Sequence, residues 1–559
     1  MFLNRVDELL HSVASLEDWT WLQDQEAHIH QESLRDQERF SWLTTTKNNS
    51  NDVASSSNDD TNNSPLPEVE WITVNNQRLA VRTTQPLLND KEVELLRTAA
   101  NEYFATQSTA DSSSSFTYQR KGNSEAHLGD LCSSNSELQS AMQDALQHKI
   151  FPLVQKEFSL NKNEWNLYIY DSLLIRYNAT AAAILEESSS SSTHSNHLNL
   201  NLKEKTLGAG QPLHRDMGVV SVNIMLNQAH EFQGGGTLFE EQLLVNNAAK
   251  FDHGGTAASP LKPSTTDRGH ALLHYSSHRH AGAGTTQGVR DILVLFLSAA
   301  AKSRDSNHSN RMNHNMHPLE FVARIKERSK ALQSTLTQKE TDPLGFQLKR
   351  ALLYRTALSH VPTDGDAFHY LGTCLHALAQ TLWEDGQADQ AMIAHQLSIE
   401  ALLDHAVRLI PNDGRLFNNI GLLLGKNHQS YKTTGDETNI RLKQVEWAYR
   451  HSLELHESAQ SMGCDVEMDL ESTALNYGLF LSYQDGNRWQ DAMNVLDCID
   501  FSTVMLEQGG EKHPQEVDED ENENLVRMTK LRKDAFHLRQ FCAKQLEKED
   551  VSSNCKRID

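Results

Sequence analysis

The chain has 559 residues, 38% of them hydrophobic, and sets 51 Lys and Arg against 75 Asp and Glu for a net charge of −24. That length exceeds one compact domain and calls for at least two folded units joined by linkers. The acidic balance argues against a surface that tracks a phosphate backbone, no stretch approaches the ~20 apolar residues of a membrane span, and six cysteines without a Cys-x-x-Cys pair argue against a structural zinc site or a small disulfide scaffold.

In chain order, residues 1–43 form an N-terminal helical segment, because Leu3, Val6, Leu9, Leu10, Val13 and Leu16 recur at helical spacing. The stretch lacks the unbroken apolar core of a signal peptide, so the cytoplasm or nucleus is the expected location. Residues 44–67, rich in Thr, Asn, Ser and Asp, read as a disordered linker. A folded region spans 68–300. Val69–Val74 and Arg78–Arg82 flank Asn75-Asn76 as a hairpin. Asn89 with Glu92 three residues on caps a helix through Val93, Leu96 and Ala99, and a second helix covers about 136–157. Residues 165–177 read as a pair of strands. A serine-rich insert at 186–206 belongs on the surface; the triplet Asn178-Ala-Thr180 matches a glycosylation signal that the missing signal peptide argues against using. Val219–Leu226, Thr237–Glu240, Ala271–Tyr275 and Val289–Leu297 are strands divided by glycine turns at 234–236, 254–255 and 282–284. Many short strands with such turns predict a β-sandwich or barrel, with the early helices against one sheet.

A second linker spans 301–317, and its histidines read as part of a polar stretch rather than as ligands. Residues 318–507 have helical periodicity. Gly372, Gly421 and Gly478 each lie inside an apolar helix and each precedes a helix with a close-packing alanine: Ala391, Ala448 and Ala492. This resembles a degenerate tetratricopeptide array, although the intervals between the glycines exceed that repeat's ~34 residues; an irregular helical bundle competes with it. Residues 508–524 form an acidic flexible segment, and 525–559 a C-terminal helix and tail.

The chemistry concentrates at His214, Asp216, His280 and Arg290. Residues two apart on an extended strand share a side, so His214 and Asp216 bring an imidazole and a carboxylate together. The third ligand is chosen among His270, His274, His278 and His280. His280 fits best, where a strand gives way to Ala-Gly-Ala-Gly and ten residues before Arg290; His278 is its rival, and the others read as strand and loop histidines satisfied by water. Two histidines and one carboxylate can hold divalent iron on one face and leave other positions open. Arg290 enters the apolar strand Ile292–Leu297, and a buried guanidinium needs an anion. The candidates are an internal glutamate and a dicarboxylate cosubstrate.

Residues 86–298 resemble the prolyl 4-hydroxylase-like branch of the iron(II)/2-oxoglutarate dioxygenases, through Leu-Leu-Ile-Arg-Tyr177-Asn, Pro-Leu-His214-Arg-Asp216, Gly-Gly-Gly-Thr237-Leu-Phe, His-Arg-His280-Ala-Gly and Gly-Val-Arg290. The resemblance implies a multidomain α+β chain: a double-stranded β-helix (jelly-roll) dioxygenase domain, followed by the all-α, tetratricopeptide-like region. It implies that His214, Asp216 and His280 bind Fe(II), and that Arg290, with Tyr177 and Thr237, binds 2-oxoglutarate. O2 is then the oxidant and L-ascorbate the reductant. The chain departs from the pattern in the insert between Tyr177 and His214, and in arginine where many relatives carry lysine. The expected activity hydroxylates a C–H bond in a protein or peptide, coupled to decarboxylation of 2-oxoglutarate to succinate and CO2. The helical region would bind partners, and neither nucleic acid nor membrane is an expected partner. A small-molecule hydroxylase and a non-catalytic interaction scaffold are the competing readings.

Overall fold

The computed structural model describes residues 1–44, 66–74, 76–107, 123–180, 210–242, 263–302, 316–334, 341–430, 436–462, 464, 466–484, 488–499 and 519–555. The insert at 186–206, the turn at 254–255, nearly all of both linkers and the acidic residues 508–518 lie outside them. The chain divides into two compact units, Met1–Ala367 with 463–465, and Phe368–Met462 with Val466–Asp559. It mixes α and β, its sheets are antiparallel, and among the described residues no helix is long and apolar enough to cross a membrane.

The first unit opens with helices α1 (Phe2–Val13), α2 (Leu16–Arg39) and α3 (Ser41–Thr44). Ser15 caps α2 reciprocally with Asp18. Strands β1 (Val69–Val74) and β2 (Gln77–Thr83) form the expected hairpin, with Asn76 at φ 64° in its turn. Helix α4 (Asp90–Gln107) begins at the expected capping box: the Asn89 amide donates to Glu92 at 2.7 Å and the Glu92 amide to Asn89 at 3.0 Å. After β3 (Asn123–His127) come α5 (Leu128–Ser133), α6 (Ser136–Ala145) and α7 (Phe151–Glu157), the last two joined by a π turn, Leu146–Ile150. The predicted strand pair at 165–177 is instead one strand, β4 (Trp165–Asn178). No glycine or proline interrupts that run, and it pairs along its whole length with the longer β10 (Thr285–Ala301). Between them lie β5 (Val220–Met225), β6 (Phe232–Gly234), β7 (Thr237–Phe239), β8 (Ala271–Tyr275) and β9 (His280–Gly282).

The main sheet has the order β1-β2-β8-β5-β10-β4-β3, with β6 pairing to the first residues of β10; β7 and β9 form a second, two-stranded sheet. Strand alternation gives the main sheet two faces. Ala126, Leu174, Leu293, Leu295, Val222 and Leu273 form one, which packs with Leu96, Leu138, Met142 and Leu153 of the helices into the largest core cluster. Cutting such a buried leucine back to alanine costs roughly 2–5 kcal/mol. The other face carries Tyr177, Ile175, Leu173, Ile292, Val294 and Met225, and it is this face that the site uses.

Two helices that the sequence groups with the helical region, α8 (Pro318–Ser334) and α9 (Pro343–His360), fall in the first unit. Glu320 of α8 is fully buried; it accepts hydrogen bonds from Tyr168 of β4 at 2.7 Å, from Ser298 of β10 and from Arg324 at 2.9 Å. In the second unit helices pack closely at the glycines the sequence singles out. A Cβ on Gly372, Gly421 or Gly478 would lie 2.7 Å from Leu402, 2.7 Å from Tyr449 or 3.0 Å from Leu496, and Ala391, Ala448 and Ala492 are all buried. The final helix starts at Glu519, inside the segment expected to be flexible, and runs to Cys555.

Candidate active site

His214 precedes β5, and its backbone pairs with that of His280 in β9: each amide donates to the other's carbonyl, at 2.8 and 2.9 Å. The Asp216 amide donates to the Ser276 carbonyl at 3.0 Å. These bonds bring together three side chains that are up to 66 residues apart along the chain, from His214 to His280. His214 Nε2 lies 3.3 Å from Asp216 Oδ1, and His280 Nε2 3.5 Å from Asp216 Oδ2. All three donor atoms fall within 4.8 Å of one another, a grouping that could hold a metal ion. Metal bonds of about 2.1 Å set neighbouring ligands ~3 Å apart, so the side chains stand close to coordinating distance.

The ring nitrogens are assigned by their partners. His214 Nδ1–H donates to the Pro212 carbonyl at 2.7 Å, and His280 Nδ1–H to the His278 carbonyl at 3.1 Å. A carbonyl can only accept, so each Nδ1 carries its proton and each Nε2 faces Asp216. Burial works to raise the Asp216 pKa, but His280 and His214 outweigh it and hold the carboxyl well below the usual range. Ser221 of β5 donates to Asp216 Oδ2 at 2.5 Å. Burial drives His280 well below its ordinary value, which keeps the imidazole neutral. Neutral imidazoles and an ionised carboxylate are the forms that bind metal.

His278, the rival ligand, is not part of the cluster: it supplies the carbonyl that orients His280, and burial lowers its own pKa to about 4. His270 Nδ1 bonds the Thr83 carbonyl at 3.0 Å. His274 is not a solvent-satisfied strand histidine. It is 0% exposed, with its ring 4.4 Å from that of His280 and its Nε2 3.5 Å from Asn223. Its position opposite Ser221 and Ala80 points it to the inner face.

Arg290 lies in the same pocket as the cluster, with Tyr177, Thr237, Gln211, Asn223 and the apolar Leu173, Ile175, Ile292, Val294 and Phe296. It is 4% exposed, and its Nε and Nη1 have no hydrogen-bond partner among the described residues. Among the described residues no carboxylate pairs with Arg290, so the internal glutamate that the sequence allows is not found there, and the neighbouring Asp291, on the opposite face, takes Arg176 at 2.8 Å. Burial lowers the Arg290 pKa, against the pull of Tyr177. Tyr177 stands directly across from it in the β4–β10 ladder, and the guanidinium lies 5.1 Å from the centre of the tyrosine ring. The insert thus leaves Tyr177 beside the pocket; burial pushes its phenol up to about 12, so it stays protonated and can donate. Thr237 of β7 is buried, and its backbone exchanges bonds with Ser264 at 2.8 and 2.9 Å. The glycine triplet before it is explained at Gly235, where φ is +73° and a Cβ would lie 2.8 Å from Arg290 Cδ.

One contact escapes sequence reasoning. Arg215, between His214 and Asp216, donates through Nη2 to Asp366 at 2.9 Å and through Nε to its other oxygen, and also bonds the Ser277 carbonyl. Asp366 lies in the first turn of α10 (Gly365–Glu384). The arginine between the two candidate ligands is visible in the sequence; its partner 151 residues on is not.

No protein-family model matches the chain, and no curated protein matches it. Solved structures with partial likeness include AviO1 from Streptomyces viridochromogenes Tue57, at 15% identity over 39% of this chain and 89% of that one, with a TM-score of 0.24. The non-heme alpha ketoglutarate dependent carbocyclase SnoK from nogalamycin biosynthesis matches at 14% identity, over 41% of this chain and 85% of its own, with a TM-score of 0.24. A prolyl 4-hydroxylase from Phytophthora capsici matches at 12% identity, over 56% and 92%, with a TM-score of 0.19. Likenesses this slight assign neither family nor function, and the functional reading rests on the pocket itself.

Proposed function

We propose that the chain is an iron(II)- and 2-oxoglutarate-dependent dioxygenase that hydroxylates a C–H bond. One observation carries the reading: a two-histidine, one-carboxylate cluster shares a pocket with a buried arginine that has two unpartnered donor nitrogens. Such a cluster with open positions suits ferrous iron in oxygen-activating sites. The donor set fits the ion, since burial holds His280 neutral, the Nδ1 of each imidazole donates to a carbonyl so that Nε2 faces the cluster, and the carboxyl is ionised. When bound, ferrous iron would supply the activation of O2.

The chain's own residues do the rest. Arg290 receives the distal carboxylate of 2-oxoglutarate through Nε and Nη1, a charge-assisted pairing. Tyr177 donates to the same carboxylate from across the ladder, and Thr237 lines the opposite wall. Ser221 holds Asp216 in place, and the carbonyls of Pro212 and His278 fix the imidazole rings. The apolar floor of Leu173, Ile175 and Val294 excludes water from the reacting centre. The overall conversion takes R–H, O2 and 2-oxoglutarate to R–OH, succinate and CO2. In this reading the two sheets are the walls of a jelly roll, the substrate is a protein or peptide as in prolyl 4-hydroxylases, and ascorbate restores ferrous iron.

The test is succinate production by purified protein with iron(II), ascorbate, 2-oxoglutarate and a broad pool of peptides. The proposal expects succinate that depends on oxygen and is lost in Asp216→Ala. Absence of succinate across the pool, or turnover that survives Asp216→Ala, would overturn it.

A further inference from the structure

The inner face of the main sheet does not end at the pocket's β4 wall. On the edge strand β3, Asn123 stands opposite Tyr177, Glu125 opposite Ile175 and His127 opposite Leu173. Residues directly opposite in an antiparallel pair share a face, so these three continue the wall one strand further. Their chemistry changes abruptly from that of the apolar floor. Asn123 is 9% exposed; its Nδ2 donates to the Gly210 carbonyl at 3.1 Å, while its Oδ1 has no partner. Glu125 is 5% exposed, and its Oε1 has no partner either. Asp171, inner-facing opposite Phe296, adds a second carboxylate, with His127 Nδ1 3.3 Å away.

A structural explanation would give these groups internal partners. Glu125 makes no ion pair among the described residues, and Arg290, one strand beyond Tyr177, makes none with it. A buried polar atom without a partner is costly, so those of Asn123 and Glu125 need an explanation. His127 Nδ1, 3.3 Å from Asp171, also lacks a hydrogen bond among the described residues, but the unmet atoms of Asn123 and Glu125 are oxygens that accept, and the neighbouring Asp171 is a carboxylate. What would satisfy them is therefore a donor, and a positive one.

We infer that Asn123, Glu125 and Asp171 form a substrate-recognition wall that takes a basic nitrogen, an amine or guanidinium, while the apolar floor of Leu173, Ile175 and Val294 holds the carbon chain attached to it. This deepens the proposed function by naming the substrate class, and rests on that reading for the pocket's role in turnover. The unpartnered acceptors that carry it are independent of iron.

The experiment uses the full chain without metal or 2-oxoglutarate. Hexylamine and 1-hexanol, matched in length, are titrated in parallel by calorimetry. The wall predicts that wild-type protein binds hexylamine at least tenfold more tightly than hexanol. Glu125→Gln, isosteric and uncharged, should bring the two within about threefold, and Asp171→Asn should narrow the gap. Equal binding of the two by wild-type protein sinks the inference, and so does a preference unchanged in both carboxylate variants. Since no cosubstrate is present, a failed succinate assay leaves this result standing, and a failed amine preference leaves the oxygenase reading standing.

Discussion

Replacing Arg290 with Met separates what the guanidinium does for stability from what it does for binding. In the free protein Arg290 is 4% exposed with two donor nitrogens unpartnered. Each buried donor left unmet costs roughly 1–3 kcal/mol, so the pair costs roughly 2–6 kcal/mol. Stacking of the guanidinium on Tyr177 returns roughly 0.5–2 kcal/mol. Met fills a similar length with no polar atom and adapts to irregular space. Arg290→Met should therefore stabilise the ligand-free protein by about 2 kcal/mol. Amide hydrogen exchange in the β4–β10 ladder reads this locally: 2 kcal/mol slows exchange through unfolding about 30-fold. The same variant should show no added protection from 2-oxoglutarate with a divalent metal, whereas wild-type protein should. Faster exchange in ligand-free Arg290→Met would refute the reasoning, because it would mean that the guanidinium already has a partner and is no waiting anion site.

The metal cluster makes a selective prediction. His214→Ala, Asp216→Ala and His280→Ala should each weaken manganese(II) binding at least tenfold in an electron paramagnetic resonance titration, while His278→Ala should retain binding; equal losses at 278 and 280 would overturn the ligand assignment. Glu125 predicts a pH effect. Burial, then Asp171, raise its pKa to about 7 from 4.5, so its stabilising protonated form is complete below pH 4.5 and lost as pH rises to 7. This amounts to ~3 kcal/mol, and Glu125→Gln should gain that much on wild-type protein between pH 4.5 and 7.5 in urea denaturation; parallel curves would contradict it. Finally, Asp366→Asn should weaken manganese binding several-fold without touching a ligand, because Arg215 then loses the carboxylate that anchors the segment from His214 to Asp216; unchanged affinity would reduce that ion pair to a structural tie.

What could be read in the sequence follows from how local each feature is. The hairpin at Asn76 and the capping box at Asn89 and Glu92 depend on neighbours a few residues apart, and both appear as expected. The pairing of His214 with Asp216 is equally local. Choosing His280 over His278 is not, since it depends on the bridge that sets the His280 backbone against His214. The run 165–177 alternates so freely that its division into two strands cannot be judged without its partner β10. His274 reads as one more strand histidine until the sheet places it opposite Ser221 and against the ring of His280. Arg290 announces a buried cation, yet only the structure shows that no acid among the described residues meets it. Glu125 gave no signal at all, because its meaning comes from Ile175, opposite it on the next strand and lining the pocket.

The most direct measurement of the central claim is calorimetric titration of 2-oxoglutarate into wild-type protein under anaerobic conditions, with and without iron(II). The cluster and Arg290 should act as two ends of one site. Binding should then require the metal, fall at least a hundredfold in Arg290→Met, and vanish in Asp216→Ala. Binding that ignores iron, or that Arg290→Met leaves unchanged, would contradict the account.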